Sequence, residues 1–346
     1  MKKWILCLFC LFLVGCDAKE LSELSIGTVL GIDQTKDGYL ISCLIVGKEE
    51  NETNLYKGEG STVETALNNL NLKLSENLYL NHIQSVIVSE KVAKKGMKNV
   101  MQYFISNSSI QKNFYLFVTK EVKADAVLEN LLKTSGNDYN IITNIFKYND
   151  EIDFKGQENS FTSFLEDELS PNKEPILHAI TLDKNTLVSA DLAFFKKDKL
   201  VSFSQNTIGY AALMGEAKKI TLELSCENNK SIIRIDKMKK KTKIKNGIIS
   251  NTITGDLTIK ENGCQFPIDT KKDKEKLKAL AEKKLNKIVN QTIQEAQAIP
   301  SDIFGYQEML NRFKQNKNHL SFSELKIENH SKLSTEKLYK KGDYHE

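Results

Sequence analysis

The hydrophobic pattern of the first third of the chain predicts strands interleaved with helices. Residues 26–32 and 39–46 are rich in β-branched residues, and Asp37-Gly38 between them is a hairpin turn signal. The capping-box pattern Ser61-Thr-Val-Glu64 precedes apolar residues three and four apart, which predicts an amphipathic helix. Three more segments complete this part: a strand at 83–88, a helix at 91–107 interrupted near Gly96, and a strand at 114–119. The order β-β-α-β-α-β implies a sheet covered by helices on at least one face.

The pattern becomes irregular in the middle of the chain and β-rich beyond it. After a short helix at 124–132, residues 134–160 lose periodicity and fill with Asn, Asp, Gly and Lys, which indicates a loop or a junction. A segment at 161–169 and a strand at 176–182 form a small α/β piece. Short β runs separated by turns between residues 188 and 258 predict an antiparallel meander.

The strongest helical pattern lies near the C-terminus. Residues 273–299 carry an apolar stripe that stops at Pro300, and this helix is expected to pack across the C-terminal sheet. A second helix that ends near residue 314 and an alternating edge strand at 322–328 follow it.

The first sixteen residues have the pattern of a bacterial export signal. Two lysines precede an unbroken apolar run at residues 4–14, which as a helix would rise about 16 Å, roughly half of a ~30 Å hydrocarbon core. The run closes as Leu13-Val14-Gly15-Cys16, which looks like a lipobox. A diacylglyceryl group on Cys16 would supply two acyl chains, enough for stable anchoring. An ordinary cleaved signal with a coincidental cysteine is the alternative.

These patterns predict an α+β fold of several subdomains, each a β-sheet packed with helices. The predicted ranges are a signal peptide at 1–15, an N-terminal α/β subdomain at 16–122, a small subdomain at 123–185, and a C-terminal α+β domain at 186–346. This last domain is expected to combine an antiparallel sheet with the long helix at 273–299.

Composition and charge narrow the function classes. The chain has 346 residues, of which 40% are hydrophobic and 27% charged, as in a folded globular protein. Lys and Arg number 49 against 45 Asp and Glu, a surplus too small and too evenly spread for a nucleic-acid binder. No apolar stretch beyond residue 16 approaches the ~18 residues that span a bilayer. The mature chain is therefore expected to be anchored to a membrane without crossing it.

Three cysteines remain after the predicted cleavage and acylation: Cys43, Cys226 and Cys264. Their number is odd, and none has the C-x-x-C or Cys/His spacing of a metal or redox site. A Cys226–Cys264 bridge is conceivable outside the cytosol. Free thiols on buried strands are the interpretation that we favour.

No residue pattern predicts catalysis, a metal or a cofactor. The chain has no G-x-S-x-G elbow, no S-x-x-K and no phosphate loop. Glu166, Asp167 and Glu168 are adjacent carboxylates, which point apart on a helix, whereas a glycosidase pair must converge on one bond. None of the histidines has the spacing of a ligand pair; they are His82, His178, His319, His330 and His345.

The densest basic block is Lys237-Met-Lys-Lys-Lys241, with Lys243 just beyond it. Such a block could dock on anionic lipid headgroups at roughly 1 kcal/mol per charge, or it could be a solvated strand end. The solvated interpretation is favoured, because electrostatic attraction holds only within a Debye length of the membrane surface and the sequence does not place the block that close.

Several short motifs occur in an order that resembles one known family. In chain order they are Gly15-Cys16-Asp17-Ala-Lys-Glu20, Gly31-Ile-Asp33, Gly58-Glu-Gly60 with the helix pattern that runs to Leu70, Leu78-Tyr-Leu-Asn-His82, Glu90-Lys-Val-Ala93-Lys-Lys-Gly96, Ala193-Phe-Phe-Lys-Lys-Asp-Lys199 and Asp302-Ile-Phe-Gly305. The chain resembles, nearly from end to end, the Ger(x)C family of spore germination lipoproteins, the C subunits of nutrient germinant receptors. The N-terminal half carries the more specific matches.

Two positions depart from the family's pattern. The family commonly has a Trp directly after the lipidated cysteine, where this chain has Asp17. The R-D pair usual at the end of the second helix is replaced by Ser106-Asn107, so any salt bridge made there is lost. His82 matches the histidine of the family's hydrophobic turn, where it is expected to hydrogen-bond the turn rather than to catalyse.

The resemblance implies an elongated α+β lipoprotein, without enzymatic activity or a cofactor, that is needed for receptor assembly and germination. It would act beside the polytopic A and B subunits on the outer face of the spore inner membrane, with Cys16 as its lipid attachment site. Two alternatives are a lipid-anchored cell-wall hydrolase, which needs convergent carboxylates or a metal, and a solute-binding lipoprotein of a transporter. The second usually has two lobes of βαβ repeats, which the β-rich stretch at 188–258 fits poorly.

Overall fold

Two β-sheets with helices packed against them form the fold. The structure, a computed structural model, describes residues 24–47, 53–134, 142, 159–171, 173–215, 217–299, 301–315 and 320–338. The predicted α+β class is confirmed. The predicted signal peptide, Cys16 and most of the predicted loop at 134–160 lie outside the described residues. Within the described ranges, no helix is long and apolar enough to cross a membrane.

The chain up to residue 204 forms the first sheet and the helices that pack against it. In chain order they are β1 (Leu24–Gln34), β2 (Tyr39–Val46), β3 (Thr53–Gly60), α1 (Val63–Asn71), β4 (Asn77–Tyr79), β5 (Ser85–Val88), α2 (Glu90–Lys95), α3 (Lys98–Ser106), β6 (Tyr115–Thr119), α4 (Ala124–Thr134), α5 (Phe161–Leu169), β7 (Ile176–Asp183), β8 (Thr186–Lys196) and β9 (Lys199–Ser204). The strand order is β3-β2-β1-β5-β6-β7-β8-β9, and β4 pairs with β1. The central strands β1, β5, β6 and β7 run parallel, and antiparallel hairpins extend both ends.

Helices cover both faces of this sheet, as its buried parallel centre requires. One hydrophobic cluster joins one face to α1, α2, α3 and α5, and a smaller cluster joins the other face to α4. The residues of these two clusters and of the second sheet's cluster all lie between Val29 and Leu338. A chain that begins at Asp17 therefore contains the whole described core.

The N-terminal prediction was correct in its order but incomplete. The hairpin of β1 and β2 is confirmed, and so is the helix interruption at Gly96, whose φ is 125°. Strand β3 was not predicted, because its sequence is polar and Gly58 is its one fully buried residue among those described. The capping box at α1 is formed by Thr62 and Thr65 rather than by Ser61 and Glu64.

The predicted boundary between residues 185 and 186 falls in a hairpin of the first sheet. Lys184 and Asn185 have φ values of 47° and 66° and form the turn between β7 and β8. Strands β8 and β9 thus lie in the same sheet as β1, although their sequence is β-rich like that of the following region. The predicted domain ranges remain a prediction.

The second sheet and its helices follow residue 204. In chain order they are α6 (Thr207–Met214), β10 (Lys219–Cys226), β11 (Asn229–Lys245), β12 (Ile248–Asn262), α7 (Lys271–Ala298), α8 (Tyr306–Arg312), a 3-10 turn (Phe322–Glu324) and β13 (Ile327–Ser334). Strands β10, β11 and β12 are antiparallel, as predicted, whereas the edge strand β13 runs parallel to β12. This edge strand begins at Ile327 because residues 322–324 form the turn.

The predicted long helix is confirmed as α7. Its buried residues recur three and four apart and face the second sheet; they are Leu277, Ala281, Leu285, Val289, Thr292, Ile293 and Ala296. Thr270 caps its first turn, because the Thr270 hydroxyl accepts the backbone N–H of Asp273 at 3.2 Å.

The favoured prediction of free thiols is wrong for two of the three cysteines. Cys226 and Cys264 form a disulfide across 38 residues, which ties the β10–β11 hairpin to the segment after β12. Their side chains meet because β11 and β12 fold back on each other, a pairing that spacing in the sequence does not reveal. Cys43 is free and buried, and burial raises the pKa of its thiol.

Candidate functional site

The Gly31-Ile-Asp33 motif holds α4 against β1. The Asp33 carboxylate accepts backbone N–H bonds from Ala124 at 3.1 Å and Asp125 at 2.8 Å. The first N–H groups of a helix need such acceptors, so Asp33 caps α4 from a neighbouring strand. Gly31 faces the same helix, where a Cβ would lie 3.2 Å from the Leu128 side chain. The motif is therefore used to pack one helix on the sheet.

The Gly58-Glu-Gly60 motif lets α1 lie directly on β3. A Cβ at Gly58 would lie 2.2 Å from the carbonyl oxygen of Ala66 and 2.5 Å from the backbone nitrogen of Leu70. A Cβ at Gly60 would lie 2.4 Å from the backbone nitrogen of Ala66. These are contacts with helix backbone, and they leave no space for a bound phosphate.

The Asp302-Ile-Phe-Gly305 motif caps α8. The Asp302 carboxylate accepts the backbone N–H groups of Tyr306 at 3.1 Å and Gln307 at 2.7 Å. Gly305 has a φ of 67°, a conformation that glycine adopts without strain. The Asp302 carbonyl also accepts the N–H of Glu174 at 3.0 Å, which joins the second half of the chain to the segment before β7. Burial raises the pKa of the Asp302 carboxyl to about 6.

Asp302 is expected to make stability fall as the pH rises. The unfolded chain releases this proton near pH 4, whereas the folded chain holds it to about pH 6. Between these values the folded state binds more protons, so raising the pH from 4 to 7 should lower the free energy of unfolding by about 2–3 kcal/mol through this group. Urea unfolding of the wild type and of Asp302→Asn, which lacks the titrating group, measures this difference across pH. The same pH dependence of the free energy of unfolding in both proteins would contradict this expectation.

A cleft of about 640 Å³ opens between the N-terminus of α1 and the length of α3. Most of the residues that line it carry an uncharged polar group: Tyr39, Ser61, Thr62, Val63, Glu64, Asn99, Gln102, Tyr103, Ser106, Asn107 and Ser108. The lining includes Ser106-Asn107, the pair that departs from the family's pattern. The sequence contained these residues, but nothing in their spacing indicated that two helices would bring them together.

The cleft is suited to hydrogen bonding rather than to acid–base chemistry. Burial and the nearby Glu64 raise the pKa of Tyr103 to about 12, so its hydroxyl stays protonated at neutral pH. The Asn107 amide donates to that hydroxyl at 3.4 Å. Among the described residues that line the cleft, one is a carboxylate and none is a histidine, cysteine or lysine. The cleft can accept a small polar molecule, but it presents no nucleophile beside a base.

The three adjacent carboxylates do not converge. Glu166 is exposed, whereas Asp167 is turned toward Lys173, whose ammonium lies 2.7 Å from its carboxylate. Glu168 belongs to the same last turn of α5. Glu166 is thus solvated, whereas Asp167 is engaged in an ion pair with Lys173.

The histidines in the described part of the chain lie apart from one another. His82 is exposed in the turn before β5, with its ring centroid 5.7 Å from that of Tyr79, and His330 is exposed on β13. His178 is buried on β7, where burial lowers its pKa to about 4. Across the described part of the chain, no group of three or more His, Cys, Asp or Glu side chains could hold a metal ion. His319 and His345 lie outside the described residues.

The lysine block lies on β11 and extends beyond the predicted residues 237–243. Its lysines continue at every second position to Lys245, and the alternate positions Met238, Thr242 and Ile244 are less exposed. This two-residue period was present in the sequence and is the signal that would have identified a solvent-facing row.

Comparisons with known proteins agree across both sheets. The family model described as the spore germination protein N-terminal domain matches residues 17–182, and the one described as spore germination B3/GerAC like, C-terminal, matches residues 190–336. Spore germination protein GerQC of Bacillus cereus is 27% identical over 207 residues, which are 58% of this chain and 57% of the relative. Spore germination protein KC of Bacillus subtilis (strain 168) is 27% identical over 135 residues, 34% of this chain and 33% of the relative.

The structural comparison agrees with the sequence matches. The crystal structure of the GerBC protein aligns with a TM-score of 0.55 and 16% identity, and the alignment covers 89% of this chain and 96% of that one. This likeness shows a common fold. The sequence matches themselves span less than two thirds of the length of these curated relatives. Because the two family models together cover nearly the whole chain, it belongs to the Ger(x)C family of spore germination proteins.

Proposed function

We propose that this chain is a non-enzymatic, lipid-anchored subunit of a nutrient germinant receptor in spores. It acts on the outer face of the spore inner membrane, beside the polytopic A and B subunits, and is needed for receptor assembly and germination. The observation that carries the proposal is the pair of family matches over residues 17–182 and 190–336.

The roles of the motif residues support a function through contacts. Asp33 and Asp302 cap helices, and Gly58 allows a helix to lie on a strand. A catalytic family would be expected to keep acids, bases or nucleophiles together in a cleft. The cleft between α1 and α3 instead offers amides and hydroxyls around Glu64. These features favour a receptor subunit over a cell-wall hydrolase.

Cys16→Ala is expected to remove the acyl anchor and with it nutrient germination. Without the thiol no diacylglyceryl group can be attached, so the signal should stay uncleaved and the folded domains should lose the two acyl chains that give stable membrane binding. Labelling with radioactive palmitate should disappear, and germination with one nutrient class should be slowed or abolished. Spore formation and germination by routes independent of nutrients should be unchanged.

Cys10→Ala is the matched control, because it removes a thiol from the same apolar run outside the lipobox. It should keep both the label and the germination rate. Undiminished label in Cys16→Ala would exclude the lipid anchor. A chain that is present at its normal level and cleaves a wall or lipid substrate when purified would exclude the non-enzymatic role.

A further inference from the structure

A β-bulge decides which side chains of β11 face solvent. Before the bulge, odd-numbered positions such as Ile233 and Ile235 are buried in the core. The register then shifts between Asp236 and Lys239, whose partners on β12 are two residues apart instead of three. Because side chains alternate along a strand, the extra residue exchanges the two faces of β11. Odd-numbered positions beyond the bulge therefore point to solvent.

The exchanged half of β11 carries a row of lysines. Those on its exposed side are Lys239, Lys241, Lys243 and Lys245. Alternate residues on one strand lie about 6.5–7 Å apart, so the row is about 20 Å long. On the opposite side, the ammonium of Lys240 lies 5.7 Å from the ring centre of Tyr306 in α8. The helices cover that inner side of the sheet, and the row of lysines lies on the outer side.

Strands β12 and β13 extend the row into an array, which we call the lysine face. On β12, Thr254, Thr252 and Ser250 pair with Lys239, Lys241 and Lys243. On β13, Lys332, His330 and Glu328 lie beside those three hydroxyl residues. Each rung thus sets a lysine beside a hydroxyl, with Cβ atoms about 5 Å apart. The lysine face consists of these nine residues and Lys245.

Little negative charge opposes these lysines. Among the described residues of the lysine face, Glu328 is the one carboxylate, and it lies 3.3 Å from the ammonium of Lys326. On the other side of the bulge the outer face is balanced instead, since Arg234 pairs with Asp236 at 2.8 Å. Positive charge is therefore concentrated on the half of the outer face that follows the bulge.

We propose that the lysine face docks on anionic phospholipid headgroups. Ammonium and hydroxyl groups are donors for phosphate oxygens, and the sheet sets three strands of them side by side. An extended polyanion would need a single row of lysines, whereas a membrane can meet the whole array. The docking needs no acyl group. It goes beyond the proposed lipid anchor because it defines which face of the second sheet meets the membrane.

Protection of a strand edge is the simpler role for lysines on β11. Strand β10 pairs with β11 only as far as Asp236, and charged side chains on an edge discourage pairing with other chains. That role requires charge only on the edge strands, which here are β11 beyond Asp236 and β13. It does not account for the hydroxyl row of β12, which has β11 on one side and β13 on the other and is not an edge strand.

Vesicle sedimentation tests the docking with the chain that begins at Asp17, which contains the whole described core and no acyl group. Vesicles with about 30% phosphatidylglycerol in phosphatidylcholine should bind it, and pure phosphatidylcholine vesicles should not. Binding should be lost in about 0.5 M NaCl, where screening is strong. Each lysine near an anionic surface contributes roughly fivefold, so Lys239→Gln/Lys241→Gln/Lys243→Gln should lower the partition coefficient about 100-fold.

The matched control is Lys276→Gln/Lys283→Gln/Lys287→Gln, which makes the same charge change on the exposed side of α7. It should lower binding less than about fivefold. Equal losses of vesicle binding in the two variants would show that only the net charge of the protein matters, and would overturn the proposal. Vesicle binding that the sheet variant leaves unchanged while self-association rises would assign the lysines to edge protection.

Two further measurements keep the result decisive. Circular dichroism should show both triple variants folded, and if the sheet variant unfolds, the single change Lys241→Gln should still lower binding roughly fivefold. Binding of soluble polyphosphate without any vesicle binding would identify a linear polyanion and overturn the lipid assignment. Neither acylation nor germination enters these measurements, so their failure would leave the proposed receptor role standing.

Discussion

Gly58→Ala is expected to destabilise the folded chain by about 3 kcal/mol or more and to lower the amount of this protein in spores. The added methyl group would lie 2.2 Å from the carbonyl oxygen of Ala66 and 2.5 Å from the nitrogen of Leu70. Both atoms belong to the backbone of α1, so relief requires the helix to move off β3. Urea unfolding of the chain from Asp17 measures the loss, and immunoblots of spores measure the amount of protein.

Gly247→Asn is the matched control for the glycine change. Gly247 lies in the turn between β11 and β12 with a φ of 75°, and the nearest atom to an added Cβ is 3.6 Å away. Asn tolerates this conformation better than most residues, so the cost should be about 1 kcal/mol or less. A loss for Gly58→Ala no larger than that for the control would show that α1 does not press on β3.

Reduction of the Cys226–Cys264 disulfide is expected to cost the second sheet about 3–4 kcal/mol. The bond closes a loop of 38 residues, and loop-closure entropy gives that magnitude for a loop of this length. The bridge lies at the end of the β10–β11 hairpin, so the loss should appear in the unfolding of the C-terminal half. Urea unfolding with and without dithiothreitol measures it.

The double change Cys226→Ser/Cys264→Ser supplies the control. It should match the reduced wild type in stability and should not respond to dithiothreitol. Buried Cys43 is present in both proteins, so any effect of the reductant on that thiol cancels. Wild-type stability that is insensitive to reductant would mean that the bridge contributes nothing measurable.

Local periodicity was sufficient to predict the elements that bury one continuous stripe of apolar residues. Helix α7 was predicted over residues 273–299 and found at Lys271–Ala298, because its apolar residues recur three and four apart over many turns. Strand β3 has no such signal. It is ordered by its pairing with β2 and by the helix that lies on Gly58. The residues of β3 themselves do not indicate either partner.

The candidate site could be predicted only in part. The motif residues Gly31, Asp33, Gly58 and Asp302 were recognised, but their spacing did not reveal that they cap and pack helices. The cleft was not predicted, because Glu64 and Tyr103 belong to different helices whose contact depends on how each packs on the sheet.

Residue order alone was enough to establish the α+β class, the lipobox pattern and the family, since each rests on neighbours within a few positions. The three-dimensional fold was needed for contacts between distant residues. Asp33 caps a helix 91 residues later, and the disulfide joins two cysteines whose pairing follows from the fold of β11 and β12. The bulge after Asp236 turns the lysines of β11 outward, because one extra residue in a strand reverses the faces of all that follow.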